Sequence, residues 1–311
     1  MKNYIILLGF LMVSTALMAQ KTDTTKNATT ADSLLSSMSG DNKKEYATIF
    51  QSSRAILSQT TETVKKNNLN FLIIHRFGDL AGPDGGGKYF WGLDNIADVY
   101  LGFEYGLTND LNIDFGRSSL PSVGGLVDLE LKYAVLHQTN DDISPLAISL
   151  IGETGLRTYN NYPNFSDRVS YFAQAIFARK FSHDFSFQVA PSFLENNLPI
   201  PNVPGSPKDI FSVSATAQIK VAKLMSIVVD YAHPFSSFRA NSGFSDPLGV
   251  GFQVVTGGHV FTLNISNARA TSEINYLSNN TADFLRGQYR LGFTISRMFD
   301  FNHKEHYTPK R

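Results

Sequence analysis

ADVYLGFEYGL, residues 97–107, places Ala97, Val99, Leu101, Phe103, Tyr105 and Leu107 on one face of an extended chain and Asp98, Tyr100, Gly102, Glu104 and Gly106 on the other. A period of two is the signature of a strand, because a helix would scatter these charges around its circumference. LVDLELKYAV, residues 126–135, repeats the pattern with Val127, Leu129, Leu131, Tyr133 and Val135 opposite Asp128, Glu130 and Lys132. The same grammar returns in Leu111, Ile113 and Phe115, in Phe185, Phe187, Val189 and Phe193, in Phe211 to Val221, and in Tyr289, Leu291, Phe293 and Ile295. Twelve such segments begin near residues 69, 97, 110, 125, 145, 168, 184, 211, 225, 247, 258 and 287. Each is about as long as the 9 to 11 residues a tilted membrane strand needs. Residues 168–181 obey no single face, since Tyr171, Phe177 and Phe181 oppose the equally apolar Phe172 and Ile176.

The connections alternate in length. Leu107 to Asp110, Ser182 to Asp184, Lys223 and Gly257-Gly258 are short turns, whereas 79–96, 118–124, 157–167, 195–210, 236–246 and 267–286 are long and rich in Gly, Pro, Asn and Ser. Outer-membrane barrels have this asymmetry, with short periplasmic turns, long outer loops and, for an even strand count, both termini in the periplasm. The expected fold is therefore all-β: a transmembrane antiparallel up-and-down barrel of about twelve strands. A soluble sandwich also alternates, but its outer face is charged, while the second face here mixes Gly, Ser, Thr and Gln with occasional charge.

Composition agrees. The 311 residues hold 27 Lys plus Arg against 27 Asp plus Glu, only 17% charged residues and 12% aromatics. A neutral chain gives no electrostatic grip on nucleic acid. With no cysteine, thiolate catalysis, disulfides and Cys-ligated metals are excluded, as is a lipid anchor on a cysteine after the leader. Residues 1–19 read as a cleaved signal peptide, 20–45 as a flexible periplasmic lead, 46–301 as the barrel and 302–311 as a polar tail. This sets the expected address at the outer membrane.

HRFGDLAGPDGGGKYFWGLDN, residues 75–95, followed by FEYGLTNDLNIDFGRSS, residues 103–119, resembles a family of predicted outer-membrane β-barrels of unknown function. FQSSRAILSQTTETVKK, residues 50–66, is similar to that family's segment before its first clear strand, and the resemblance spans residues 46–300. It implies a barrel and an outer-membrane address and supplies no catalytic residues. Residues 46–66 are compatible with an extra strand or with a segment folded into the lumen.

Alternation sends Asp98, Glu104, Asp114, Asp128, Glu130, Lys132, Glu153, Arg157, Lys220, Asp230 and Arg290 to the lumen. Mixed charge in a barrel of this size suits a narrow pore for small polar solutes. The alternative is a non-conducting barrel whose outer loops, especially 79–96, 195–210 and 267–286, bind a partner or surface. An outer-membrane lipase stands third: His75 or His233 with a serine such as Ser236 lacks a nucleophile-elbow sequence. GPDGGGK, residues 82–88, fits a phosphate-loop spacing, yet Tyr89 replaces the magnesium-holding hydroxyl and no helix pattern follows. Asp79, Asp84 and Asp94 lack an ordered calcium-ligand spacing, and the seven histidines are dispersed. No cofactor, metal or enzymatic activity is expected. The expected partners are the lipid bilayer, the outer-membrane assembly machinery and a small polar solute; the sequence leaves the oligomeric state open.

Overall fold

The computed structural model describes residues 45–120, 125–158, 164–197, 208–235 and 243–302. The expected signal peptide, nearly all of the expected lead and most of the expected tail lie outside them. Twelve antiparallel strands close into an up-and-down barrel in which each strand neighbours its sequence successor and the last meets the first. They are β1 (Asn68–Asp79), β2 (Ile96–Gly106), β3 (Leu111–Ser118), β4 (Leu126–Leu136), β5 (Ala147–Arg157) and β6 (Val169–Lys180). The second half comprises β7 (Phe185–Asn196), β8 (Asp209–Ala222), β9 (Met225–Phe235), β10 (Leu248–Thr256), β11 (His259–Ser266) and β12 (Arg290–Asp300). Closure is antiparallel, from Asn68 opposite Asp300 to Asp79 opposite Arg290. A closed barrel leaves no unpaired edge, which lets strands cross a hydrocarbon layer that offers the backbone no hydrogen bonds.

Alternation explains which way each side chain faces. On β4, Leu129, Leu131 and Tyr133 are about half exposed, whereas Asp128, Glu130 and Lys132 between them are buried. Phe103, Phe115, Phe193 and Phe211 continue the outward apolar band. The ambiguous β6 obeys the same rule: Tyr171 and Phe177 are exposed outward, and Phe172 and Ile176 are buried inward.

What fills the barrel settles one reading the sequence left open, an extra strand or a lumen segment at residues 46–66, and corrects another. Residues 45–66 form no thirteenth barrel strand. They enter from the short-turn end, where Tyr46 bridges Thr139, fold into a tight hairpin in which Arg54 bridges Gln59, and return to the same end, where Lys66 bridges Gly106. The loop after β11, expected to be an outer loop available to a partner, instead turns inward. Ala268, Ala270 and a one-and-a-half-turn helix, α1 (Glu273–Ser278), are buried there. Ile274 and Leu277 of α1 pack with Phe172, Ile176, Leu194 and Ile210 of the strands, and burying that apolar surface holds the loop in.

Candidate functional site in the plugged lumen

The inserted hairpin is held mainly by polar side chains of the strands. Asp230 on β9 accepts the backbone N–H groups of Ile56 and Leu57 at 2.8 Å and of Ser58 at 3.2 Å, capping the hairpin tip, and also accepts the Thr216 hydroxyl. On the other side Glu104 accepts Ser53 Oγ at 2.6 Å and Asn70 Nδ2 at 2.7 Å, and Glu130 accepts Gln59 Nε2 at 2.9 Å. Lys132 donates to Gln59 Oε1 at 2.8 Å and to the Ser53 carbonyl at 3.3 Å. Gln188 on β7 donates to the Gln59 carbonyl at 2.7 Å. Apolar contacts are fewer: at the tip Ala55, Ile56 and Leu57 join the cluster around α1, and nearer the short-turn end Ile49 and Phe50 pack with Ala147 and Ala178. Glycine admits the tip: a Cβ at Gly251 would lie 2.9 Å from Ile56 Cδ1.

Hairpin and inward loop meet through charge. Arg54 forms a buried ion pair with Glu273 of α1 at 3.1 Å and lies 5.6 Å from the centre of the Tyr100 ring. Asp98 secures the loop from the wall, accepting Thr271 N at 3.0 Å and Thr271 Oγ1 at 2.8 Å together with the Ser118 hydroxyl. Nearer the short-turn end, Glu62 accepts Ile49 N at 2.9 Å and Phe50 N at 3.1 Å. Desolvation pushes its carboxyl above the ordinary range while those two donors oppose the rise.

The remaining residues read from alternation fall as follows. Asp128 accepts the Tyr100 hydroxyl at 2.9 Å. Arg157 donates to Asn275 Oδ1 at 3.0 Å and Asn196 Oδ1 at 3.4 Å. Arg290 pairs with Asp79 and donates to the Asn267 carbonyl at 2.7 Å. Asp114 and Glu153 are buried on β3 and β5, and no donor reaches either Asp114 oxygen. Lys220 is the exception to burial, half exposed near the turn between β8 and β9. Sequence reasoning passed over Arg54, Gln59, Arg76, Glu273 and Tyr276. Arg76, fully buried, donates to the Ile56 carbonyl at 3.0 Å and to Asn264. The signal for the hairpin was its composition: a segment dense in Ser, Thr and Gln with few charges suits a polar lumen better than open water.

His233 Nδ1 lies 2.8 Å from Asp246 Oδ2, but on the outer face and half exposed, and Ser236 is outside the described residues. Among the described residues no three metal-ligating side chains converge. The glycine-rich loop 82–88 leads into a short 3-10 turn, Gly87–Gly92, broken at Tyr89, Phe90 and Trp91.

A closed antiparallel barrel, apolar outside and filled with its own chain, is what comparison with known proteins must match. The family model described as "Membrane bound beta barrel domain (DUF5777)" matches residues 50–299. The chain belongs to that family. Membership makes it a membrane-bound β-barrel, and membrane barrels with an even number of antiparallel up-and-down strands are the outer-membrane type. No curated protein matches the sequence. Among solved structures, the chain is similar to the KdgM porin, with TM-score 0.42 and 7% identity over 75% of this chain and 99% of that one. It is similar also to an outer membrane channel of Pseudomonas putida F1, with TM-score 0.45 and 11% identity over 77% and 98%. The outer membrane protein Omp33 of Acinetobacter baumannii gives TM-score 0.40 and 10% identity over 75% and 99%.

Proposed function

We propose that this family member is an outer-membrane channel for small polar solutes, exported by its signal peptide and held closed by the hairpin of residues 45–66. The carrying observation is the way the hairpin is attached. Its backbone and side chains bond to Asp230, Glu104, Glu130, Lys132 and Gln188, all on the strands, and water or a polar solute can replace bonds of that kind at modest net cost. A permanent core would be apolar, as the seat of α1 is. In this reading α1 stays, the hairpin withdraws toward the short-turn end through which both its arms already leave, and solute passes along the wall of β2 to β5. Catalysis has no part in it.

A reversible lock tests the reading. The chain has no cysteine, so one engineered pair is unambiguous. A Cβ built on Gly249 lies 3.5 Å from Ile56 Cβ, within the span of about 3.5 to 4.5 Å that a disulfide uses. Ile56→Cys also removes the Cγ2 that would crowd the new side chain. Oxidised Ile56→Cys/Gly249→Cys protein, refolded and placed in a planar bilayer under voltage, is expected to stay silent; reduction restores the discrete openings of the unmodified chain. Equal current in both redox states, or silence from every folded form, defeats the gate.

A second reading has its own support. The buried apolar seat of α1 is the mark of a permanently closed barrel, whose remaining outer loops then present a partner-binding surface. Silence in every redox state favours it.

A further inference from the structure

Four carboxylates stand directly opposite one another across four adjacent strands: Glu104 on β2 faces Asp114 on β3, Asp114 faces Glu130 on β4, and Glu130 faces Glu153 on β5. Residues so paired hold their Cβ atoms about 4.5 to 5.5 Å apart, and like charges in that register repel. All four are buried. A fold that needed only a closed wall would place Ser, Thr or Gln here, as β8 does with Ser212, Ser214, Thr216 and Gln218.

Lys132 and Arg54 lie close enough to attract the row, but their hydrogen bonds go to other groups. Arg54 pairs with Glu273, and Lys132 donates to Gln59 and to the Ser53 carbonyl. The other buried lumen cations have partners away from the row: Arg290 has Asp79, Arg157 has Asn275 and Arg76 has Asn264. What the row receives comes largely from the hairpin, Ser53 Oγ on Glu104 and Gln59 Nε2 on Glu130. Beyond those donors, both oxygens of Asp114, Glu130 Oε1 and Glu153 Oε2 are buried with no hydrogen-bond partner. Asn112, two residues from Asp114 on the same inward face of β3 and fully buried, adds a further acceptor without a donor in its Oδ1, while its Nδ2 is a donor without an acceptor. Buried acceptors without donors are costly, so their grouping on one wall points to a ligand that brings positive charge. The oxygens form a row rather than a cage, and no three metal-ligating groups converge among the described residues, which suits a passing cation and not a bound divalent metal.

We infer that the solute is a small cation, and that Glu104, Asp114, Glu130 and Glu153 form the element that selects it. The inference rests on the gated-channel reading. In the closed state the hairpin occupies the solute's place, presenting the Ser53 hydroxyl and the Gln59 amide where an ammonium or guanidinium group would donate. Withdrawal of the hairpin also takes Arg54 away, so the open wall is more negative than the closed one. A narrow cleft lined by one sign of charge raises the local concentration of counter-ions by about 10- to 1000-fold.

The full chain in a planar bilayer separating unequal potassium chloride solutions gives the test. The reversal potential of the openings is expected on the potassium side. In Asp114→Asn/Glu130→Gln/Glu153→Gln the potassium-to-chloride permeability ratio is expected to fall by about tenfold. Asp114→Asn alone, which removes no hydrogen bond, keeps the test available if the triple variant fails to fold, and is expected to shift the potential in the same direction. Openings with no preference, a chloride preference, or a ratio untouched by these changes overturn the cation inference and leave the gate standing. Absence of openings from folded protein, or openings indifferent to the Ile56→Cys/Gly249→Cys lock, overturns the gate and the cation inference with it.

Discussion

The carboxylate of Asp230 accepts the backbone N–H of Leu57 at 2.8 Å, joining a strand of the barrel wall to the tip of a hairpin 173 positions earlier in the chain. The same oxygen takes the N–H groups of Ile56 and Ser58, so one side chain satisfies the turn that closes the lumen. Asp230→Ala leaves three buried backbone donors of the hairpin unmet, besides the Thr216 hydroxyl, each worth about 1 to 3 kcal/mol when nothing replaces the acceptor. Hydrogen exchange at the amides of residues 56–58 is expected to accelerate while the amides of β7 to β10 stay protected, and channel openings are expected to become more frequent. Asp230→Asn, which keeps one acceptor oxygen, should fall between. Unchanged exchange at the tip in Asp230→Ala would show that the hairpin is held by something else.

Arg54 and Glu273 couple the hairpin to α1 inside the barrel. Removing one partner of a buried pair strands the other charge and typically costs about 3 to 5 kcal/mol, whereas replacing both with apolar residues is far milder. Glu273→Leu and Arg54→Met are each expected to expose residues 45–66 to protease, and Arg54→Met/Glu273→Leu to recover protection. If the double variant is as sensitive as the two single changes combined, the pair is not what links hairpin to helix.

Gly116 on β3 has a neighbour that explains it: a Cβ there would stand 1.9 Å from the Tyr100 hydroxyl and 2.6 Å from Asp128 Oδ1. The Tyr100 hydroxyl needs that space to donate to Asp128 at 2.9 Å, which in turn keeps the ring under the Arg54 guanidinium. Gly116→Ala is expected to cost about as much stability as Tyr100→Phe plus the strain of a displaced ring, about 1 to 3 kcal/mol beyond the lost hydrogen bond. The two changes together should cost less than their sum, which a double-mutant cycle on the refolded barrel measures. Strict additivity would mean that the glycine serves the strand alone.

The strands were legible because lipid and lumen impose opposite demands on successive residues; Leu129, Glu130, Leu131 and Lys132 each face as a period of two requires. Every strand begins within three residues of its expected start. The filling was not legible, for a reason seen in the hairpin. A polar wall is matched by a polar segment, so Ser53, Gln59 and Thr60, all buried, left an extra strand and a lumen segment both open. Loop 267–286 misled for a related reason, because Asn267, Thr271 and Asn275 find partners inside the barrel rather than in water. The doubt over Phe172 and Ile176 was itself a clue. Inward apolar residues in a barrel need an apolar lodger, and Ile274 and Leu277 of α1 fill that place. Alternation points the charged candidates inward, but the bonds of Glu104, Glu130 and Lys132 to Ser53 and Gln59 join positions no local pattern connects.

The filled lumen changes which substitutions discriminate a lipid-facing position. Thr216, inward on β8, is sealed between Asp230 and Gln188, so a large cation there strikes the plug and is no tolerant control. Leu131 and Leu285 make the better pair. Leu131 is 49% exposed at the middle of β4, and Leu285 is 95% exposed in the loop before β12. In water the two would accept arginine equally. In a bilayer, arginine on the lipid face near the midplane costs about 2 to 4 kcal/mol and falls toward zero near the interfaces. Leu131→Arg is therefore expected to lower the yield of heat-modifiable, folded barrel in lipid vesicles sharply, with Leu285→Arg folding like the unmodified chain. In a detergent micelle, which deforms around a charge, the gap between the two variants should narrow. Equal folding of both in vesicles would remove Leu131 from the hydrocarbon layer and with it the inward assignment of Glu130 and Lys132 beside it.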